Sequence, residues 1–389
     1  YMSNQDGDLD KCKKAICYAT KLIELTGTAE GYVERGNLYI DTYELEMAVA
    51  DCEEAIRIDP EAYYAYNNLG CALLKLRRMN EAVEPLKQAI TMSPSKDHLP
   101  YLNLAECYSL MESYGKAIET YESIMRLWPE RVNILEEIAK IYRKQKKYEE
   151  AIAIYKKIPE EYLRVYQNNK RDENYKSNQI ESCCNIGDTY RQAGDLKKAE
   201  MYFRKAIKEF FSFGANYSLS ILEAAVEYYR DQGEYKKAEK LCRRMLKKAE
   251  SHNLSITHLA FTFATVLFEM GKKNETEKYA KIFLEQFIKS HGGEEKMMSD
   301  ERYLPMYLYD ISIMFVCIGK YDQARKYLEQ IPKCRLCVIC ETCGCFEYYF
   351  GMGLIAELEG RKEEARTLYK KAIALKGDYA CCVHHLNKL

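Results

Sequence analysis

The chain has 389 residues, 47% hydrophobic and 30% charged, with 58 basic against 59 acidic side chains and a formal net charge of −1. That balance fits an ordinary folded protein rather than a disordered one. It argues against a general nucleic-acid binder, which needs a basic face to displace counterions from phosphates. No apolar stretch reaches the roughly 18 residues of a membrane-spanning helix, and YMSNQDGD is not expected to act as a secretory leader. The expected partners therefore exclude nucleic acid and membrane.

Tyr occurs 34 times, Trp once and Pro 8 times, and Val and Thr never gather into alternating runs. This composition favours helices over sheets. Sixteen cysteines, most scattered at apolar helix positions, suit a reducing, cytoplasmic setting in which free Cys is a small core residue.

In chain order, GDLDKC at the front places Cys12 where the later GDLKKA places Ala199, so the first unit keeps little more than a second helix. Ala48, Ala82, Ala117 and Ala151 follow at intervals of 34, 35 and 34, each with a small residue twelve positions earlier: Gly36, Gly70, Ala105 and Ala139. Three residues after those stand Tyr39, Leu73, Tyr108 and Tyr142, and Pro60, Pro94 and Pro129 close the first three units. Each unit reads as helix, tight turn, helix and proline stop. Gly70 and Ala82 are expected to face each other where the two helices of one hairpin cross.

The register then loosens. Ala199 is the clearest later match, with Gly187, Tyr190, Phe203 and Ala206 in place; Ala238, Thr276, Ala324 and Ala365 follow at intervals of 39, 38, 48 and 41. The longer units imply longer helices or insertions, placed near 159–179 and 291–304. We expect three segments: 1–165 with short units, 166–345 with longer ones ending in a cysteine-rich connector, and 346–389 with the last repeat and a capping helix.

This pattern resembles the tetratricopeptide repeat across essentially the whole chain. The resemblance implies an all-α, right-handed solenoid of about nine to ten hairpins serving as a binding scaffold. An array opening in mid-hairpin is expected to be preceded by further chain. In this family the first helix of each hairpin lines the inner groove, and Asn68, Asn103 and Asn185 share one register position there. Asn37 lies one residue beyond Gly36 on the same type of helix. A side-chain amide can both donate to and accept from an extended backbone, so these four, with Tyr64 and Tyr101 as aromatic neighbours, are the candidate contacts to a protein or peptide. The same amides can instead bond a neighbouring helix. Val33, and the absence of a cation from Tyr101-Leu102-Asn103, leave a carboxylate clamp unsupported. The basic runs 143–147 and 243–248 read as solvated outer faces.

The stretch CRLCVICETCGC holds Cys334, Cys337, Cys340, Cys343 and Cys345 between two hairpins, and Cys382 and His385 follow near the end. The spacing suits a zinc site. It also suits an iron–sulfur cluster or a metal-free connector. A metal- or redox-responsive regulator, or the sensor or cochaperone arm of a longer protein, are the alternatives to a passive scaffold. No catalytic motif is recognised, and no enzyme activity is expected.

Overall fold

The computed structural model describes residues 6–92, 97–166, 173–212, 219–299, 304–331 and 346–376, and near the C-terminus 383, 385–387 and 389. Among these residues there is no strand. A lone helix α1 (Asp6–Thr26) stands first. Helical hairpins follow: α2 (Ala29–Asp41) with α3 (Leu45–Ile58), α4 (Tyr63–Lys75) with α5 (Met79–Met92), α6 (Leu99–Leu110) with α7 (Tyr114–Leu127), and α8 (Ile134–Lys144) with α9 (Tyr148–Tyr166). The longer α10 (Glu173–Gln192) pairs with α11 (Leu196–Ser212), and α12 (Glu223–Asp231) with α13 (Tyr235–His252). The rest are α14 (Thr257–Glu269) with α15 (Lys273–Ser290), the short α16 (Glu294–Ser299), α17 (Leu304–Cys317) with α18 (Tyr321–Leu328), and α19 (Phe346–Leu358) with α20 (Lys362–Lys376). The expected insertion near 159–179 is largely helix, since α9 and α10 run 19 and 20 residues. The expected insertion at 291–304 contains α16.

The recurring alanines (Ala48, Ala82, Ala117, Ala151, Ala199, Ala238, Ala324 and Ala365) are all fully buried, as is the threonine in their register, Thr276. Where the small residue of a first helix is glycine, it meets a side chain four places beyond the alanine. A methyl group on Gly70 would fall inside the Leu86 side chain, and one on Gly187 would lie 3.1 Å from the Phe203 ring. Gly353 meets the Tyr369 ring in the same way. The missing Cβ is thus the space into which a large partner packs, and burying such a side chain contributes about 1.5–3 kcal/mol.

Each hairpin turns through one left-handed residue, five positions before the alanine. In the early hairpins this is Tyr43, Arg77, Glu112 and Lys146; later it is Gly194, Gly233, Gly271, Gly319 and Gly360. The next residue's N–H then reaches back five residues to close the helix: Glu44 donates to the Tyr39 carbonyl at 2.8 Å and Asp195 to the Tyr190 carbonyl at 2.9 Å. The acceptor is the aromatic or apolar residue three after the small one, so turn and packing registers are locked together. Asp195 also caps α11, its Oδ1 accepting the Lys198 N–H at 3.0 Å.

The prolines behave in two ways. Pro60 and Pro129 follow the ends of α3 and α7, as expected of stops. Pro85 and Pro159 lie inside α5 and α9, where the burial of Leu86 and Ile158 offsets the lost backbone bond.

Packing divides the chain into two units, Tyr1–Glu209 and Phe210–Leu389, the boundary falling within α11. In the first unit, a bidentate ion pair joins Arg35 to buried Asp51 at 2.7 Å, and Arg35 also donates to Thr20 Oγ1 at 3.2 Å, tying α1 to α2 and α3. Its main core runs from Tyr39 to Ile141. In the second unit the main core runs from Ala260 to Ala372.

Within each unit the first helices of successive hairpins touch: α2 with α4 and α4 with α6, then α14 with α17 and α17 with α19. The second helices approach one another far less. The row that converges is the inside of the local curvature, so the first helices form the inner row of each unit.

Candidate functional site

The inner row of the first unit carries the candidate amides. Asn68 on α4 is buried beside Asn67, and Asn67 Nδ2 donates to Asn68 Oδ1 at 3.4 Å. Asn103 on α6, half-buried, donates to Asn67 Oδ1 at 3.2 Å. The structure therefore brings Asn68 and Asn103 into one amide chain spanning two hairpins, joined through Asn67. Sequence reasoning missed Asn67, although it directly precedes Asn68. Asn103 spends one N–H on this chain, and its side-chain amide has one further N–H and a carbonyl oxygen. Asn37 is exposed on α2, and Asn185 is half-buried on α10; neither joins the amide chain.

The two tyrosines separate. Tyr64 is 51% exposed and meets Tyr63 edge-on at 4.8 Å. Tyr101 is 8% exposed and packs edge-on against Trp128 at 5.6 Å, forming wall rather than contact surface.

Further along the row the polar bonds also run between hairpins. Lys144 Nζ donates to Ser109 Oγ at 3.2 Å, Arg143 pairs with Asp188, and Arg143 Nε donates to Gln192 Oε1 at 3.3 Å. Burial, reinforced by Glu136, raises the Glu181 carboxyl above the usual range. Burial would lower the Lys140 ammonium, but Glu137 and Glu136, at 2.9 and 3.2 Å, more than reverse it. The row thus offers amides at one end and mixed charges at the other.

In the second unit, burial followed by the neighbouring Glu347 pushes the Asp310 carboxyl up to about 7. Asp310 occupies on α17 the register position that Asn68 and Asn103 hold earlier. His385 is buried, its Nδ1 2.9 Å from Glu357 Oε2 and its Nε2 3.4 Å from Glu269 Oε1. Burial opposes its protonation, yet the two carboxylates outweigh burial and hold its pKa above the ordinary imidazole value.

Of the proposed metal ligands, Cys334, Cys337, Cys340, Cys343, Cys345 and Cys382 lie outside the described residues. His385 directs both ring nitrogens to carboxylates. Among the described residues no group of three or more His, Cys, Asp or Glu side chains is arranged to hold a metal. Described cysteines such as Cys52, Cys107, Cys184 and Cys242 are buried free thiols, and burial raises the pKa of several, Cys52 and Cys242 to about 12. No helix among the described residues is long and apolar enough to cross a membrane.

Tetratricopeptide repeat matches cover residues 29–61, 63–96, 98–158, 130–208, 184–253 and 346–379. The chain belongs to the tetratricopeptide repeat family, and its hairpin array is a protein-interaction scaffold. It is 28% identical over 193 residues to a DnaJ homolog subfamily C member 7 homolog of Dictyostelium discoideum, a match covering 44% of this chain and 36% of that protein. It is 22% identical over 148 residues to tetratricopeptide repeat protein 8 of Caenorhabditis elegans, covering 38% and 26%. The chain thus matches about a third or less of these relatives' length. Among solved structures, YrrB, a TPR protein with an unusual peptide-binding site, aligns with a TM-score of 0.38 at 20% identity over 49% of this chain and 91% of that one. The type IV pilus biogenesis factor PilW aligns with a TM-score of 0.43 at 16% identity, covering 56% and 91%.

Proposed function

We propose that the chain recognises an extended segment of a partner protein along the inner row of its first helices, as part of a larger cytoplasmic protein and without catalysis. The observation that carries this reading is the amide of Asn103, which commits one N–H to Asn67 and has further donor and acceptor capacity that an extended backbone could use. Asn68 anchors the other end of that chain. Asn37, Asn185 and Tyr64 extend the surface, and Tyr101 shapes its wall. The free thiols support a reducing setting.

The test is a crosslinking capture from native lysate, comparing the chain with an Asn68→Ala/Asn103→Ala/Asn185→Ala variant of unchanged circular dichroism. A partner held by the first and lost by the second is the expected result. Capture that survives the triple change overturns the assignment of the amides.

A further inference from the structure

The last residues of the chain read VHHLNKL, and His385 from this segment occupies the inner row of the second unit. A simple terminal cap would touch only the last hairpin. His385 instead joins Glu357 on α19 to Glu269 on α14, two hairpins earlier. Its ring lies 5.7 Å from that of Tyr369 and 5.9 Å from that of Phe350, and the Tyr369 hydroxyl donates to the same Glu357 oxygen at 2.6 Å. Leu386 and Leu389 pack on the core of the unit. Arg366 donates to the Leu389 carbonyl at 2.5 Å. The segment thus sets the His385 imidazole between two carboxylates, with apolar side chains packed after it.

The row into which it docks is acidic. The acids of α14, α17 and α19 are Glu269, Asp310, Glu347 and Glu357; these helices carry His258 and no Lys or Arg, and Arg230 of α12 donates to Thr265 of α14 at 3.4 Å. Asp310 and Glu347 act on each other as like charges. A cation brought into this row relieves repulsion as well as forming pairs.

We propose that the C-terminal segment is a displaceable internal ligand of the second unit, holding a site whose external ligand is a basic, lysine-rich stretch of a partner protein. This rests on the reading of the inner row as a ligand-binding face. A tethered segment competes at an effective concentration in the millimolar range, so the external segment binds weakly until the tail is released.

The test uses the full chain and its His385→Ala variant, with a fluorescein-labelled peptide of residues 380–389 carrying serine for both cysteines, read by fluorescence anisotropy. The variant is expected to bind the peptide at least about tenfold tighter than the unaltered chain. An unlabelled lysine-rich decapeptide displaces it, and a glutamate-rich one does not. Adding Glu269→Gln and Glu357→Gln abolishes the gain. Equal binding by the two chains, with matching circular dichroism, overturns the proposal.

Should His385→Ala fail to fold, hydrogen exchange on the unaltered chain decides. Amides of 385–389 are expected to lose protection when excess lysine-rich peptide is added, and unchanged protection overturns the proposal. That failure would leave the amides of the first unit, tested by their own variant, untouched.

Discussion

Gly70 and Leu86, sixteen residues apart, fill one space: the glycine has no side chain because the leucine already occupies its place. The same offset relates Gly187 to Phe203 and Gly353 to Tyr369, so these three hairpins share a reciprocal size match between the glycine and the side chain four places beyond the alanine.

Gly70→Val is expected to destabilise by about 1–3 kcal/mol through overpacking, and Leu86→Ala by about 2–5 kcal/mol through a cavity. The double variant should cost less than the sum, because the added methyls enter the vacated volume. Urea denaturation of the four proteins measures the coupling; strict additivity would contradict the contact.

The turns make a second prediction. Lys146 holds a φ of 58° with a side chain present, whereas Gly271 holds 69° without one. Lys146→Gly should stabilise by up to about 1 kcal/mol, since left-handed backbone costs a non-glycine residue roughly that much. Gly271→Ala should destabilise by a similar amount. Thermal melts of the two variants should shift in opposite directions.

Asp310 gives a pH dependence with a defined sign. Its folded pKa, about 7, lies above the ordinary carboxylate value of 3.8. Between those values the unfolded chain ionises while the folded chain stays neutral, so stability falls as pH rises and levels off above 7. Asp310→Asn should therefore stabilise at pH 8 on the order of 2 kcal/mol and do nothing at pH 3. Denaturation at the two pH values checks this.

His385 also loses stabilisation on alkalinisation, by a different route. Its raised pKa makes the imidazolium's contribution complete below 6.5 and lost as pH climbs through the folded value. His385→Gln should be most harmful below pH 6 and least at pH 9. A variant equally destabilised at both would show that packing, not charge, holds the ring.

The cysteine spacing of 334–345 carries an expectation of its own. A bound structural zinc predicts stoichiometric metal in the purified chain and a lower melting temperature after chelation. Metal analysis with a chelator melt decides it.

Much of the architecture was legible because the alanine register recurs every 34 or 35 residues in the early units and each position has one steric task. The left-handed turn was harder to see. Its four early occupants, Tyr43, Arg77, Glu112 and Lys146, share no chemistry, and glycine marks the position only from Gly194 onward. Helices continue through Pro85 and Pro159, which the repeat pattern does not mark, because tertiary burial outweighs a single backbone bond. The candidate site was legible only in part. Asn68 and Asn103 share a register position, but the bond linking them passes through Asn67, 36 residues from Asn103. The approach of His385 to Glu269 spans 116 residues and leaves no periodic trace.

The convergence of first helices, without matching contact between second helices, has a mechanical consequence. Within each unit the inner row acts as a spine and the outer helices as ribs, so small bends spread or close the ribs while breaking few backbone contacts. Such a spring is stiffest where a cross-brace such as the Asn67–Asn103 bond ties neighbouring hairpins together.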